Sequence, residues 1–184
     1  APPARIQAKW PPPENGRQEV VLLGKAGQRI VTAGEILCLA GISAGLQATQ
    51  KNDYPITVLR GHSVSELVLS GMPIGYTGIQ APNVVFAFAE EGVRRRRAMF
   101  ELLTGDCLVV RAKGVDLPPC RAKQVEIDFK AQKIKPQDWA LAGLALISKM
   151  NRIITPEMLS AAVAIKFKGK IQAAAMALIT RVSP

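Results

Sequence analysis

Glu19-Val-Val-Leu-Leu-Gly24-Lys-Ala-Gly-Gln28 decides how the rest of the chain is read. Four consecutive apolar residues, Val20 to Leu23, stopped by a glycine are the pattern of a strand buried on both faces, as in a parallel sheet. Gln28 to Ser43 follows at helical spacing, with Ile30, Ala33, Leu37 and Ala40 on one side and Gly41 and Gly45 at its end. Outward from this opening, Leu46 to Gln50 reads as a second strand and Ser63 to Ser70 as a third. No crossover helix separates those two, so the third strand is expected to run antiparallel. Asn83 to Ala89 is a fourth strand, Glu90 to Leu103 a helix, and Cys107 to Val110 and Gln124 to Phe129 two short strands.

The end of the chain is helical. One helix is expected from Pro136 to about Met150. Thr155-Pro156-Glu157 supplies an N-cap, a first-position proline and an early acid for the next. Ile171, Ala174, Ala175, Leu178 and Ile179 form the expected core stripe of the last. The fold class is therefore α/β: an open, mostly parallel Rossmann-like sheet flanked by helices, with a helical C-terminal part. Residues 1–17 are set apart as an extended proline-rich N-terminal arm carrying Pro2, Pro3, Pro11, Pro12, Pro13 and Trp10. The arm either packs on a neighbouring surface or folds back on residues 18–184, the domain proper.

Composition narrows the function. At 184 residues and 48% hydrophobic, the chain can bury a core, and its longest apolar runs are too short for a membrane span. It shows no basic–apolar leader, so a cytoplasmic location is expected. Cys38, Cys107 and Cys120 are three, widely spaced, and support neither a disulfide framework nor a four-thiolate metal site. The net charge is +10, and Arg94 to Lys135 alone holds eleven basic against five acidic side chains. Such a surface favours an anionic partner, whether nucleic acid, a phosphorylated cofactor or an acidic protein; it is equally consistent with a merely soluble basic surface.

Ligands of open α/β sheets bind beyond the carboxyl ends of the strands. Three segments are expected to meet there: Gly24-Lys25-Ala26-Gly27-Gln28-Arg29, Lys51-Asn52-Asp53-Tyr54-Pro55, and Arg60-Gly61-His62-Ser63. The first turn of the helix offers unpaired N–H groups to a phosphate or carboxylate, and Lys25, Arg29, Lys51 and Arg60 add charge. The alternative for the glycine pair is tight strand–helix packing. Ser63 and Ser65 bond a ligand or cap the loop. His62, the lone histidine, has no nucleophile with an orienting acid beside it, which favours a structural role over a general base. Arg94 to Arg97 is either a solvated helix face or a grip on a neighbouring subunit.

Gly24-Lys-Ala-Gly-Gln28 after a strand resembles the GxGGQG opening of the gamma subunit of 2-oxoacid:ferredoxin oxidoreductases. Asn52-Asp-Tyr-Pro55, then Arg60-Gly-His-Ser-Val-Ser-Glu66 and Leu67-Val-Leu-Ser70, resembles that family's second block, Arg-Gly-Gly-x-Ser-x-Ser-Glu and a strand ending in Ser. The resemblance covers roughly Glu19 to Val182. The wording around Asp53 and Arg60 looks closest to a branch with phenylglyoxylate dehydrogenase-like enzymes. Ala26, Arg29 and His62 stand where the pattern has glycines, and Gln137-Asp-Trp-Ala-Leu-Ala-Gly143 departs from the family's Asn-x-x-x-Leu-Gly.

The resemblance implies a subunit without a complete active site. Such enzymes oxidatively decarboxylate a 2-oxo acid, acylate coenzyme A and pass electrons through [4Fe-4S] clusters to ferredoxin or an NAD-linked flavin subunit. Thiamine diphosphate and Mg sit between alpha and beta subunits, and clusters sit in a ferredoxin-like partner. The coenzyme A or interface set expected here is Gly24, Lys25, Ala26, Gly27, Gln28, Arg29, Lys51, Asn52, Arg60, Gly61, His62, Ser63 and Ser65. Two other classes compete. A stand-alone Rossmann-like reductase would use Asp53 to hold a ribose, against a broken glycine fingerprint. A basic nucleic-acid-binding protein fits the charge, against 5% aromatic content and no recognition signature.

Overall fold

The computed structural model describes residues 6–57 and 59–184; Pro2 and Pro3 of the arm lie outside them. The elements are β1 (Gln18–Lys25), α1 (Ile30–Ser43), β2 (Gln47–Asp53), β3 (His62–Ser70), β4 (Val84–Ala87), α2 (Glu90–Arg95), β5 (Leu108–Ala112), β6 (Lys123–Ile127), α3 (Trp139–Lys149), α4 (Pro156–Lys166) and α5 (Gly169–Arg181). Two 3-10 turns, Arg97–Leu102 and Pro136–Asp138, precede β5 and α3.

The six strands form one sheet in the order β2-β3-β1-β4-β5-β6. β1 pairs in parallel with β4, β4 with β5, and β5 with β6. β3 is antiparallel to both β1 and β2, so it alone runs against the rest. The open, mostly parallel sheet is thus present, with one refinement: β1 has a parallel neighbour on one side only. β1 and β4 are central and Val20 to Leu23 and Val84 to Ala87 are fully buried, which is why both read as unbroken apolar runs.

Strand alternation assigns the two faces. Ser65 and Gln50 bond toward α1, where Gln50 Nε2 donates to the Val31 carbonyl at 3.0 Å. Their neighbours of opposite parity, Glu66 and Asp53, receive arginines from the end of α2. α1 and α2 therefore cover opposite faces. On the α1 face, α4 packs on α1, and Gly143 of α3 sits against the Phe86 and Phe88 rings.

Three local readings are revised. β2 runs on to Asp53, so Lys51 and Asn52 are strand residues. The helix from Glu90 ends at Arg95 and tightens to 3-10; the break falls at Arg96, whose guanidinium is held by Asp53 and Glu66. In α5, Ala175, Leu178 and Ile179 are buried, whereas Ile171 and Ala174 of the expected core stripe are exposed. α4 keeps its cap, Thr155 Oγ1 accepting from the Met158 N–H at 3.3 Å.

Residues 6–17 run back along their own domain at the far end of the sheet. The Lys9 N–H donates to the Ser43 carbonyl at 2.9 Å, and the Gly71 N–H to the Asn15 carbonyl at 2.8 Å. Among the described residues no helix is long and apolar enough to cross a membrane.

Candidate functional site

At the carboxyl ends of β1 and β2, the turn into α1 meets the connection from β2 to β3. The contact is a backbone bond: the Ala26 N–H donates to the Gly61 carbonyl at 3.0 Å. Gly27 and Gly61 make the turns with φ of 89° and 92°, a region closed to most side chains. Between the two segments lies a cavity of about 410 Å³, within the range of small-molecule sites. Lys25, Arg29 and Arg60 line it, with His62 and Ser63; its apolar wall is Ile30, Tyr54, Ile56 and Leu59. Among the described residues no aspartate or glutamate lines it. Ile30, Val31 and Thr32 of the first turn of α1 also line it, and their N–H groups have no intrahelical carbonyl to reach. A phosphate or carboxylate here meets cationic side chains and the positive end of a 14-residue helix together.

Gln28 is a brace and not a ligand contact. It is 2% exposed; its Oε1 accepts from the Lys25 N–H at 3.0 Å and its Nε2 donates to the Phe88 carbonyl at 3.2 Å. It fixes the turn to the end of β4. Gly24 faces the Ile30 side chain with no room for a Cβ. Arg29 sits at the helix N-cap with φ of 55°. That left-handed backbone explains why the family pattern carries a glycine there, and the arginine holds it at a cost of about 1–2 kcal/mol. Its guanidinium reaches the Asp138 carboxylate at a loose 3.5 Å.

Other expected site residues stand elsewhere. Asn52 and Ser65 bond each other at 2.9 Å, and Gln50 bonds both, so they stitch β2 to β3 under α1. Lys51 is exposed, shares the parity of Asp53, and lies outside the cavity. The three-loop mouth is thus two segments, with the strand part of the third turned away.

Asp53 is the residue whose role sequence reasoning missed. Its Oδ1 is 3.1 Å from His62 Nε2; its Oδ2 accepts from Arg95 at 2.9 Å and Arg96 at 2.8 Å. Arg96 also bonds Glu66 at 2.8 Å. Arg95, then Arg96 and His62, hold the Asp53 carboxyl well below the usual carboxylate range, against the opposing effect of burial. Both carboxylate oxygens are taken, and β3 lies between β1 and β2. Asp53 therefore does not face a ribose at β1, which removes the main support for the Rossmann-reductase reading. The arginine run divides: Arg95 and Arg96 turn to this cluster, while Arg94 and Arg97 are exposed. Glu66, a charge in the middle of β3, is the signal that could have located it.

Cys38 lies on α1, and burial pushes it up to about 11; Cys107 precedes β5 and is likewise raised to about 11 by burial. Among the described residues no three His, Cys, Asp or Glu side chains could hold a metal ion together.

The sequence profile of the pyruvate ferredoxin/flavodoxin oxidoreductase family matches residues 19–181. The 2-oxoglutarate synthase subunits KorC of Methanothermobacter marburgensis and Methanothermobacter thermautotrophicus are each 30% identical over 95 residues, 51% of this chain and 50% and 49% of theirs. The chain spans about half the length of the curated relatives it matches. Among solved structures, the gamma subunit of a keto/oxoacid ferredoxin oxidoreductase from Geobacter sulfurreducens superposes with TM-score 0.72 at 20% identity, over 91% of this chain and 96% of that one. The pyruvate oxidoreductase subunit PORC of Thermotoga maritima gives 0.68 at 17%, over 91% and 94%. The 2-oxoglutarate:ferredoxin oxidoreductase of Magnetococcus marinus, with 2-oxoglutarate, coenzyme A and succinyl-CoA bound, gives 0.72 at 19%, over 92% of this chain and 32% of the other. At these identities the superpositions speak for the fold. On the profile match across most of its length, and with the fold of those gamma subunits, the chain belongs to the pyruvate ferredoxin/flavodoxin oxidoreductase family.

Proposed function

We propose that this chain acts as the gamma component of a coenzyme A-acylating 2-oxoacid:acceptor oxidoreductase, and that its basic cavity engages the phosphates of coenzyme A. The observation that carries the reading is the meeting of Lys25, Arg29 and Arg60 at a helix N-terminus, around a cavity without a carboxylate. A pyrophosphate or 3′-phosphate bound there replaces water around three cations and takes the free N–H groups of α1. Ser63 adds a hydroxyl at the cavity floor, and Tyr54, Ile56 and Leu59 offer apolar surface to the pantetheine arm or the adenine. His62, bonded to Asp53, orients this wall.

The chain holds, and does not transform, its ligand. Thiamine diphosphate with Mg, held in the alpha and beta subunits, would supply the carbanion chemistry of decarboxylation, and [4Fe-4S] clusters of a ferredoxin-like subunit would supply the route for electrons to ferredoxin or an NAD-linked flavin subunit. The substrate is a 2-oxo acid of the phenylglyoxylate type, in keeping with the motif around Asp53 and Arg60.

Purification of the tagged protein from its source under anaerobic conditions tests this. Larger subunits, bound thiamine diphosphate and iron, and coenzyme A-dependent reduction of a viologen dye are expected. Phenylglyoxylate should give a higher kcat/KM than 2-oxoglutarate or pyruvate. A chain that purifies alone, with no 2-oxo acid oxidation, contradicts it.

A further inference from the structure

A second, larger cleft of about 790 Å³ opens between α1, α3 and α5. Its floor is apolar, with Ile36 from α1, Leu141 from α3, Phe167, and Ile171 and Ala174 from α5. The sequence spaces Ile171, Ala174, Ala175, Leu178 and Ile179 as one buried stripe, yet Ile171 is 64% exposed. The pattern of burial is written for more surface than this chain covers by itself. Such an exposed apolar patch on a helix marks a docking site.

The charges say what covers it. From Met158 to the C-terminus the sequence holds four cations, Lys166, Lys168, Lys170 and Arg181, and no acid. Asp138 also lines the cleft, in contact with Arg29 at 3.5 Å; Lys170 and Arg181 line it at the two ends of α5, and among the described residues neither has an acidic partner, Arg181 donating only to the Gln132 carbonyl. They stand eleven positions apart on the helix, about 16 Å at 1.5 Å per residue. The occupant must bring negative charge to both ends of that span and apolar groups between them. A compact small molecule does not reach; a helix of three turns does, in the manner of a helix laid in a groove. Arg29 and Thr32 line this cleft and the basic cavity alike, so the occupant lies next to the candidate site.

We infer that the α1–α3–α5 cleft receives an acidic amphipathic helix from a larger subunit of the same complex. This rests on the subunit reading above, and the test separates the two. Ile171 is replaced by p-benzoylphenylalanine in the tagged chain, and the complex is purified from the source and irradiated. The expected crosslink is to one segment of a larger subunit, with apolar residues at i, i+3 or i+4 and i+7 and Asp or Glu at both ends. A crosslink to a second copy of this chain, to a segment without acids, or to nothing while larger subunits are present overturns the cleft assignment alone. Absence of any larger subunit brings down both readings. The double variant Lys170→Glu, Arg181→Glu should weaken association with the larger subunit at least tenfold, with unchanged circular dichroism and Tm; unchanged association with an intact fold contradicts the inference.

Discussion

On the α2 side of the sheet rim, Arg95 and Arg96 end on Asp53 and Glu66; on the α1 side, Lys25, Arg29 and Arg60 surround a cavity whose walls carry no carboxylate. The two regions meet at His62, which lines the cavity and bonds Asp53, and have similar basic content. They differ in what answers the charge. Paired arginines fasten α2 to β2 and β3, so their energy goes into the fold. Around the cavity, Lys25 and Arg60 are exposed and Arg29 makes only a loose 3.5 Å contact with Asp138, so most of their interaction is left for a ligand. Net charge alone, +10 for the chain, does not distinguish these uses.

The strongest way to break the paired side is through the seat of α2. A Cβ on Gly92 would lie 2.5 Å from the Gly24 nitrogen and 2.6 Å from the Leu23 carbonyl carbon, so Gly92→Ala must push α2 off the sheet. We expect it to cost about 3 kcal/mol in urea unfolding. Asp53→Ala is next. It strands Arg95 and His62, leaves Arg96 with Glu66 alone, and should cost about 2 kcal/mol, discounted from a fully buried network because the cluster is partly solvated. The acid side has a definite sign. The Asp53 carboxyl is depressed in the fold, so its contribution is present above its unfolded value of about 4 and is lost as pH falls below that. Tm measured from pH 7 down to pH 2.5 should fall less steeply in Asp53→Ala than in the parent.

These charges were legible one by one, but their pairing was not. The bonds from Arg95 and Arg96 to Asp53 cross 42 and 43 residues, and no local pattern announces them. β1, α1 and β3 were legible because Val20 to Leu23, the Ile30–Ala33–Leu37–Ala40 face, Val64 and Leu67 to Leu69 are buried, so burial and periodicity agree. Lys51 went astray for a simple reason: with β2 ended at Gln50 it falls in a loop, whereas three more strand residues give it a parity and a face. Gln28 shows the converse. Its position in the motif was plain, but only the fold reveals that its amide is spent inside, on Lys25 and Phe88.

The cavity side should respond chiefly in binding, without loss of stability. Arg29→Gly removes a cation and relieves a left-handed backbone, so it should raise stability by about 1 kcal/mol while weakening ligand. Lys25→Ala with Arg60→Ala, both exposed, should leave stability within about 0.5 kcal/mol.

Isothermal titration of coenzyme A into the assembled complex compares the two sides directly. Lys25→Ala with Arg60→Ala should weaken binding at least tenfold, and Arg94→Ala with Arg97→Ala, cations of the α2 side outside the cavity, should leave it unchanged. Equal affinity in the parent and the Lys25/Arg60 variant, with the complex intact, would contradict the account.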